Sequence, residues 1–132
     1  MLVQTTWSRV VELTARGLVK LLRDARGSCV SVRPVLLLNT VGLEYRPLLA
    51  TEIAYILRLL TLNGFVSHIL MRRQGRRRYR VYVFCREETQ YTDGLFNPEN
   101  ARLLWELAKN EPFERAVKEV SEIILEAEGE PP

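Results

Sequence analysis

Hydrophobic periodicity changes sharply at Asn63-Gly64. Before that point the run PLLATEIAYILRLLTL sets Leu49, Ile53, Ile56, Leu57 and Leu60 at three- and four-residue steps. That is the spacing of a one-sided helix, and Pro47 suits its first turn. Thr51, Glu52, Tyr55, Arg58 and Leu62 fall on the opposite side. After the Asn-Gly stop, FVSHILM and YRVYVFC are rich in β-branched and aromatic residues and read as two strands. Between and along them Arg72, Arg73, Arg76, Arg77, Arg78 and Arg80 crowd into nine positions around Gln74-Gly75. Guanidinium groups this close repel one another, so a partner molecule or another part of the chain must compensate them.

The flanking segments follow ordinary rules. Trp7, Val10, Val11, Leu18, Leu21, Leu22 and Ala25 predict a first helix from Thr5 to Ala25, capped by Thr5 or Thr6 and closed by a left-handed Gly27. The β-branched piece Cys29-Val30-Ser31-Val32 predicts one short strand. Pro34 and Gly42 bracket a short helix that is apolar nearly all round and therefore buried. Asn97-Pro98 pairs a capping residue with a helix-opening proline, and Pro112 separates that helix from a last one. In the last helix Phe113, Ala116, Val117, Val120, Ile123, Ile124 and Ala127 form an apolar stripe. The order is helix, short strand, helix, helix, strand, loop, strand, helices: an α+β chain, mainly helical.

The net charge of +3 conceals two unlike halves. Residues 1–86 carry 15 Lys/Arg against 4 Asp/Glu, a balance of +11, and residues 87–132 carry 4 against 12, a balance of −8. The basic half is a candidate surface for a polyanion. The acidic half could lie against it in cis, repel nucleic acid, or only keep the protein soluble. Sixteen of the 19 cations are arginine, which favours bidentate phosphate contacts. No apolar run reaches the roughly 18 residues that span a bilayer. The start, MLVQTTWSRV, lacks the basic-then-apolar order of a signal peptide. A cytoplasmic protein with no membrane partner is expected, nucleoid-associated if prokaryotic. Two cysteines in a cytosolic chain, Cys29 and Cys85, read first as reduced, buried thiols. Neither belongs to a C-x-x-C pair and His68 stands alone, so no metal and no cofactor is expected. There is no Gly-rich phosphate loop and no carboxylate pair in the likely cleft, and Asp24 and Asp93 sit at an element end and a turn. An enzyme, and hence any catalytic residue, is not expected.

The segment AYILRLLTLNGFVSHILMRRQGRRRYRVYVF, taken with the order of elements over residues 5–86, resembles the winged helix-turn-helix family. The resemblance covers about two-thirds of the chain. It implies a winged-helix domain in residues 1–86, three helices plus a small antiparallel β-hairpin wing, followed by an acidic C-terminal helical extension in residues 87–132. The helix from Pro47 to Leu62 would then be the recognition helix and residues 72–78 the tip of the wing. The implied partner is double-stranded DNA, and the implied role a transcriptional regulator or chromatin-associated factor. Some winged helices serve instead as adaptors in replication, transcription or translation; the wing would then meet an acidic protein surface or RNA. A basic hairpin can lay guanidinium groups along a phosphate backbone or into a narrow minor groove, with steep salt dependence. Thr51, Tyr55 and Arg58 are the candidate base contacts, a thin set with Glu52 beside it, so affinity should come mainly from phosphates with modest specificity.

Two more expectations rest on the resemblance. In a winged helix the strand after the first helix pairs with the last wing strand, which brings Cys29 and Cys85 near one another; a disulfide thus stands beside the reduced-thiol reading. Many members dimerise through helices flanking the core, which makes Phe113, Val117, Val120 and Ile124 a candidate homodimer seam. The other reading of that stripe is packing onto the chain's own first helix.

Overall fold

The computed structural model describes residues 2–129 and shows α1 (Leu2–Asp24), β1 (Cys29–Val32), α2 (Pro34–Thr40), α3 (Pro47–Leu62), β2 (His68–Gln74), β3 (Arg77–Cys85), α4 (Pro98–Asn110) and α5 (Phe113–Ala127). The fold is α+β, with one three-stranded antiparallel sheet.

Local chemistry explains most of the boundaries. Pro34 and Pro47 open α2 and α3, where a missing N–H costs nothing. Both helices close in the same way. Gly42 (φ +78°) and Gly64 (φ +85°) adopt the left-handed conformation, and the next N–H reaches back, Leu43 to the Leu38 carbonyl at 2.9 Å and Phe65 to the Leu60 carbonyl at 3.0 Å. At α4, Asn97 Oδ1 accepts from the Glu99 and Asn100 N–H groups at 3.0 and 3.3 Å.

α1 departs from expectation at both ends. The chain is helical from Leu2, so Thr5 and Thr6 lie inside the helix rather than at its start. Gly27 does not adopt positive φ. The end of α1 is capped from a distance instead: Lys109 Nζ, on α4, donates to the Arg23 and Ala25 carbonyls at 3.1 and 2.6 Å. Arg23 returns the arrangement, its guanidinium donating to the Ala108 carbonyl at 2.7 Å and to the Glu111 carbonyl. Each helix end supplies the cation that the other's carbonyl dipoles favour.

One hydrophobic cluster joins Leu18 and Leu22 of α1, Ile53, Ile56 and Leu60 of α3, Phe84 of β3, Leu104 and Trp105 of α4, and Val120 and Ile124 of α5. Residues on both sides of position 86 therefore share a core, and the C-terminal extension is packed into the body. This corrects the expected homodimer seam. Val117 is 3% exposed, Val120 and Ile124 not at all, and α5 lies along α1 of the same chain. Phe113 is half-buried beneath the guanidinium groups of Arg16 and Arg23, 5.5 and 5.6 Å from its ring centre. Amphipathic spacing shows which side of a helix is buried but not against what. Arg16 also bridges Glu12 at 3.1 Å and Glu114 at 2.8 Å, and its hydrogen bonds hold the Glu114 carboxyl below the usual carboxylate range.

In the sheet, β3 lies between β1 and β2. Val32, Tyr82 and Phe84 face the core; Cys29, His68 and Val83 lie on the other face. Cys29 and Cys85 stand directly opposite one another, Cα to Cα 4.0 Å, and are joined by a disulfide. The Arg86 N–H donates to the Ser28 carbonyl at 2.8 Å, so the next pair inward, Cys29 and Cys85, takes the closer, non-hydrogen-bonded position of an antiparallel ladder. The expectation of two reduced, buried thiols is thereby corrected: they are bonded, and only Cys85 is buried.

Candidate nucleic-acid interface

The arginine-rich run is a hairpin with a very short turn. Gln74 pairs with Arg77, which leaves only Gly75 and Arg76 at the tip. Gly75 has φ +62° and Arg76 does not share it, the pattern of a turn with glycine at its first central position. The expected arginine-filled loop is therefore mostly strand. From Met71 and Arg80 to the tip, each arm runs about 15 Å at the usual strand rise.

The strand period sorts the side chains. Residues directly opposite share a face, so Met71, Arg73, Arg78 and Arg80 lie on the side of Tyr82 and the helical body, and Arg72 and Arg77 lie with Tyr79 on the other. Arg76 occupies the tip. All six arginines are exposed. Arg73 stands directly opposite Arg78, a like-charge pairing that costs the hairpin roughly 0.2–1 kcal/mol. Among the described residues the ion pairs are those of Arg16 with Glu12 and Glu114 and of Arg115 with Glu111, and none involves the hairpin. α4 and α5 pack on α1 and on each other, and α5 also touches α3. The acidic half therefore does not cover the arginines, and their mutual repulsion is not relieved within the chain.

The face of α3 predicted to read bases is exposed but mixed. Thr51 Oγ1 donates back to the Pro47 carbonyl at 2.9 Å. The Tyr55 ring tilts against Trp7 at 6.1 Å between centres, and Arg58 is exposed. Leu48 (83% exposed) joins Leu62 (56%) on that side, and its addition makes the face more apolar than the sequence reading allowed.

A cleft of about 500 Å³ opens between the hairpin and the N-terminal half of α3. Arg33, at the start of α2, enters its lining with its guanidinium 4.3 Å above the Tyr79 ring. Tyr45, in the α2–α3 connection, also lines it. Sequence reasoning missed both residues, because each is isolated in the chain and reaches the hairpin only through the fold. Among the described residues no group of three or more His, Cys, Asp or Glu could hold a metal ion, and no helix is long and apolar enough to cross a membrane.

Compared with known protein families, with characterised proteins and with solved structures, the chain matches none.

Proposed function

We propose that this chain is a winged-helix protein that binds double-stranded DNA, chiefly by laying the arginines of the β2–β3 hairpin along the phosphate backbone, in the service of transcription or chromatin organisation. The element order α1-β1-α2-α3-β2-β3 and the sheet order β1-β3-β2 support the winged-helix reading. One observation carries the DNA reading: six exposed guanidinium groups on a projecting hairpin with no acidic partner among the described residues. A polyanion relieves that repulsion and gains entropy from released counterions. Thr51 and Arg58 contribute the few base contacts available, so discrimination between sequences is modest.

A second reading is favoured by the exposed Leu48, Tyr55 and Leu62 on α3, which suit a protein surface better than a major groove. On that reading the domain is an adaptor, and the hairpin meets an acidic protein or RNA.

Binding to random-sequence duplex, measured across salt, separates the two. The DNA reading expects log affinity to fall linearly with log salt, at about 0.9 per phosphate neutralised. Replacing Arg76, Arg77 and Arg78 together by Ala should weaken binding on all sequences alike and flatten that slope by up to about 3. Unchanged affinity in the triple variant would remove the hairpin from the interface, and preference for structured RNA or an acidic protein over duplex would favour the adaptor.

A further inference from the structure

We infer that the cleft between the hairpin and α3 is a nucleotide-sized site that takes an unpaired base with its phosphate, so that the protein prefers duplexes carrying a single-stranded extension. The inference rests on the reading of the hairpin as a phosphate-binding element, and it extends that reading to the shape of the nucleic acid.

Every charged group in the lining is a cation: Arg33, Arg78 and Arg80. Ala50 and Ala54, small residues on α3, leave room beside the helix for a flat ring. Its volume of about 500 Å³ falls among ordinary ligand pockets, which run about 300–1,000 Å³.

Two tyrosines in the lining point to an occupant. Tyr45 is 57% exposed and makes no hydrogen bond or ring contact among the described residues, although its ring stands in the lining. Every nucleobase has a π face, and an unoccupied ring beside clustered guanidinium groups is the arrangement that binds single-stranded nucleic acid. Tyr82 is only 5% exposed, lines the same cleft, and its hydroxyl has no hydrogen-bond partner among the described residues. Among the described residues the buried side-chain polar atom left without a partner is Trp105 Nε1, so the Tyr82 hydroxyl is reachable from outside, and a polar atom of the occupant can meet it there. Tyr79 is already covered by Arg33, which fixes that guanidinium beside the cleft as a phosphate donor.

Continuity argues for a nucleotide within a strand. Arg78 and Arg80 belong both to the hairpin and to the cleft lining. A strand whose phosphates follow the hairpin therefore delivers its next nucleotide to the cleft. In a continuous duplex that nucleotide would have to leave its stack, at a cost of a few kcal/mol, whereas an unpaired one enters without that cost. A free mononucleotide offers the same chemistry and is the other source.

The test uses the full chain and four probes at one salt concentration: a blunt duplex, the same duplex with a thymidine extension, the same duplex with an abasic extension of equal phosphate count, and adenosine monophosphate. The thymidine extension should bind about tenfold tighter than the abasic one, the gain expected from one base stacked on an aromatic ring. Tyr45→Ala should erase that gain, and Tyr45→Phe should keep it. Tyr82→Phe, which removes only the hydroxyl, should weaken the thymidine probe more than the abasic one. Equal binding of thymidine and abasic extensions, with no binding of the mononucleotide, overturns the inference; if blunt duplex still binds with a steep salt slope, the hairpin reading survives that loss. Mononucleotide binding that Tyr45→Ala abolishes, with no duplex bound at any salt, supports the site with a free nucleotide as its ligand and sinks the DNA reading instead.

Discussion

Gly64 shows how much a single position can decide. Its φ of +85° lies where side chains strain the backbone, and a Cβ there would meet Asn97 Cβ at 2.7 Å and the Asn97 nitrogen and Leu95 carbonyl oxygen at 3.0 Å. The Gly64 carbonyl accepts from the Asn97 N–H at 2.9 Å, so the residue that ends α3 also seats the start of α4. Gly64→Ala should therefore lower unfolding stability by about 3 kcal/mol, read from the urea midpoint at unchanged slope. The turn was legible in the sequence, because Asn-Gly after a helical run has a local cause. The contact with Asn97, 33 positions away, has none. The arginines divide in the same way. Their clustering could be read directly, whereas Arg33 and Tyr45 enter the candidate site only because β1, α2 and the hairpin converge.

Among the elements, β1 and α5 are instructive because each carried two readings, β1 in the state of its cysteine and α5 in what its apolar stripe packs against. β1 is a four-residue edge strand tied to β3 by the Cys29–Cys85 bond, which closes a loop over a separation of 56 residues. On the chain-entropy account such a cross-link stabilises by about 4 kcal/mol. The double variant Cys29→Ser, Cys85→Ser should unfold at correspondingly lower denaturant, with amide exchange rising most along β1 and the β2–β3 turn region keeping its pairing. Cysteine count and composition said nothing of the bond; only a pairing of β1 with β3 could suggest it. α5 carries the cleanest apolar stripe in the chain, yet periodicity is indifferent to whether the covering surface belongs to the same molecule. Packing along α1, together with the Arg16–Glu114 bridge and the exchange of caps between Arg23 and Lys109, makes the docking intramolecular.

Over the whole chain, the basic and acidic halves share one core but not one surface. Leu104, Trp105, Val120 and Ile124 are buried with α1 and α3, so a fragment ending at residue 86 should lose cooperative unfolding rather than fold as an independent domain. For the same reason Ile124→Ala should cost about 2–5 kcal/mol while leaving the sedimentation coefficient unchanged. A change in oligomeric state without a loss of stability would return α5 to the role of a seam between protomers. Most of the helices, strands and stops, and the charge asymmetry, could be read in advance because each depends on neighbours within a few positions, where backbone sterics and side-chain period dominate; the ends of α1 and the length of the hairpin arms could not. The choice of what each apolar stripe packs against, the disulfide, the exchanged helix caps and the cleft that unites Arg33, Tyr45 and Tyr82 depended on long-range geometry. Burial, hydrogen bonding and charge are satisfied there by residues far apart in the chain, and no local pattern encodes which distant partner will satisfy them.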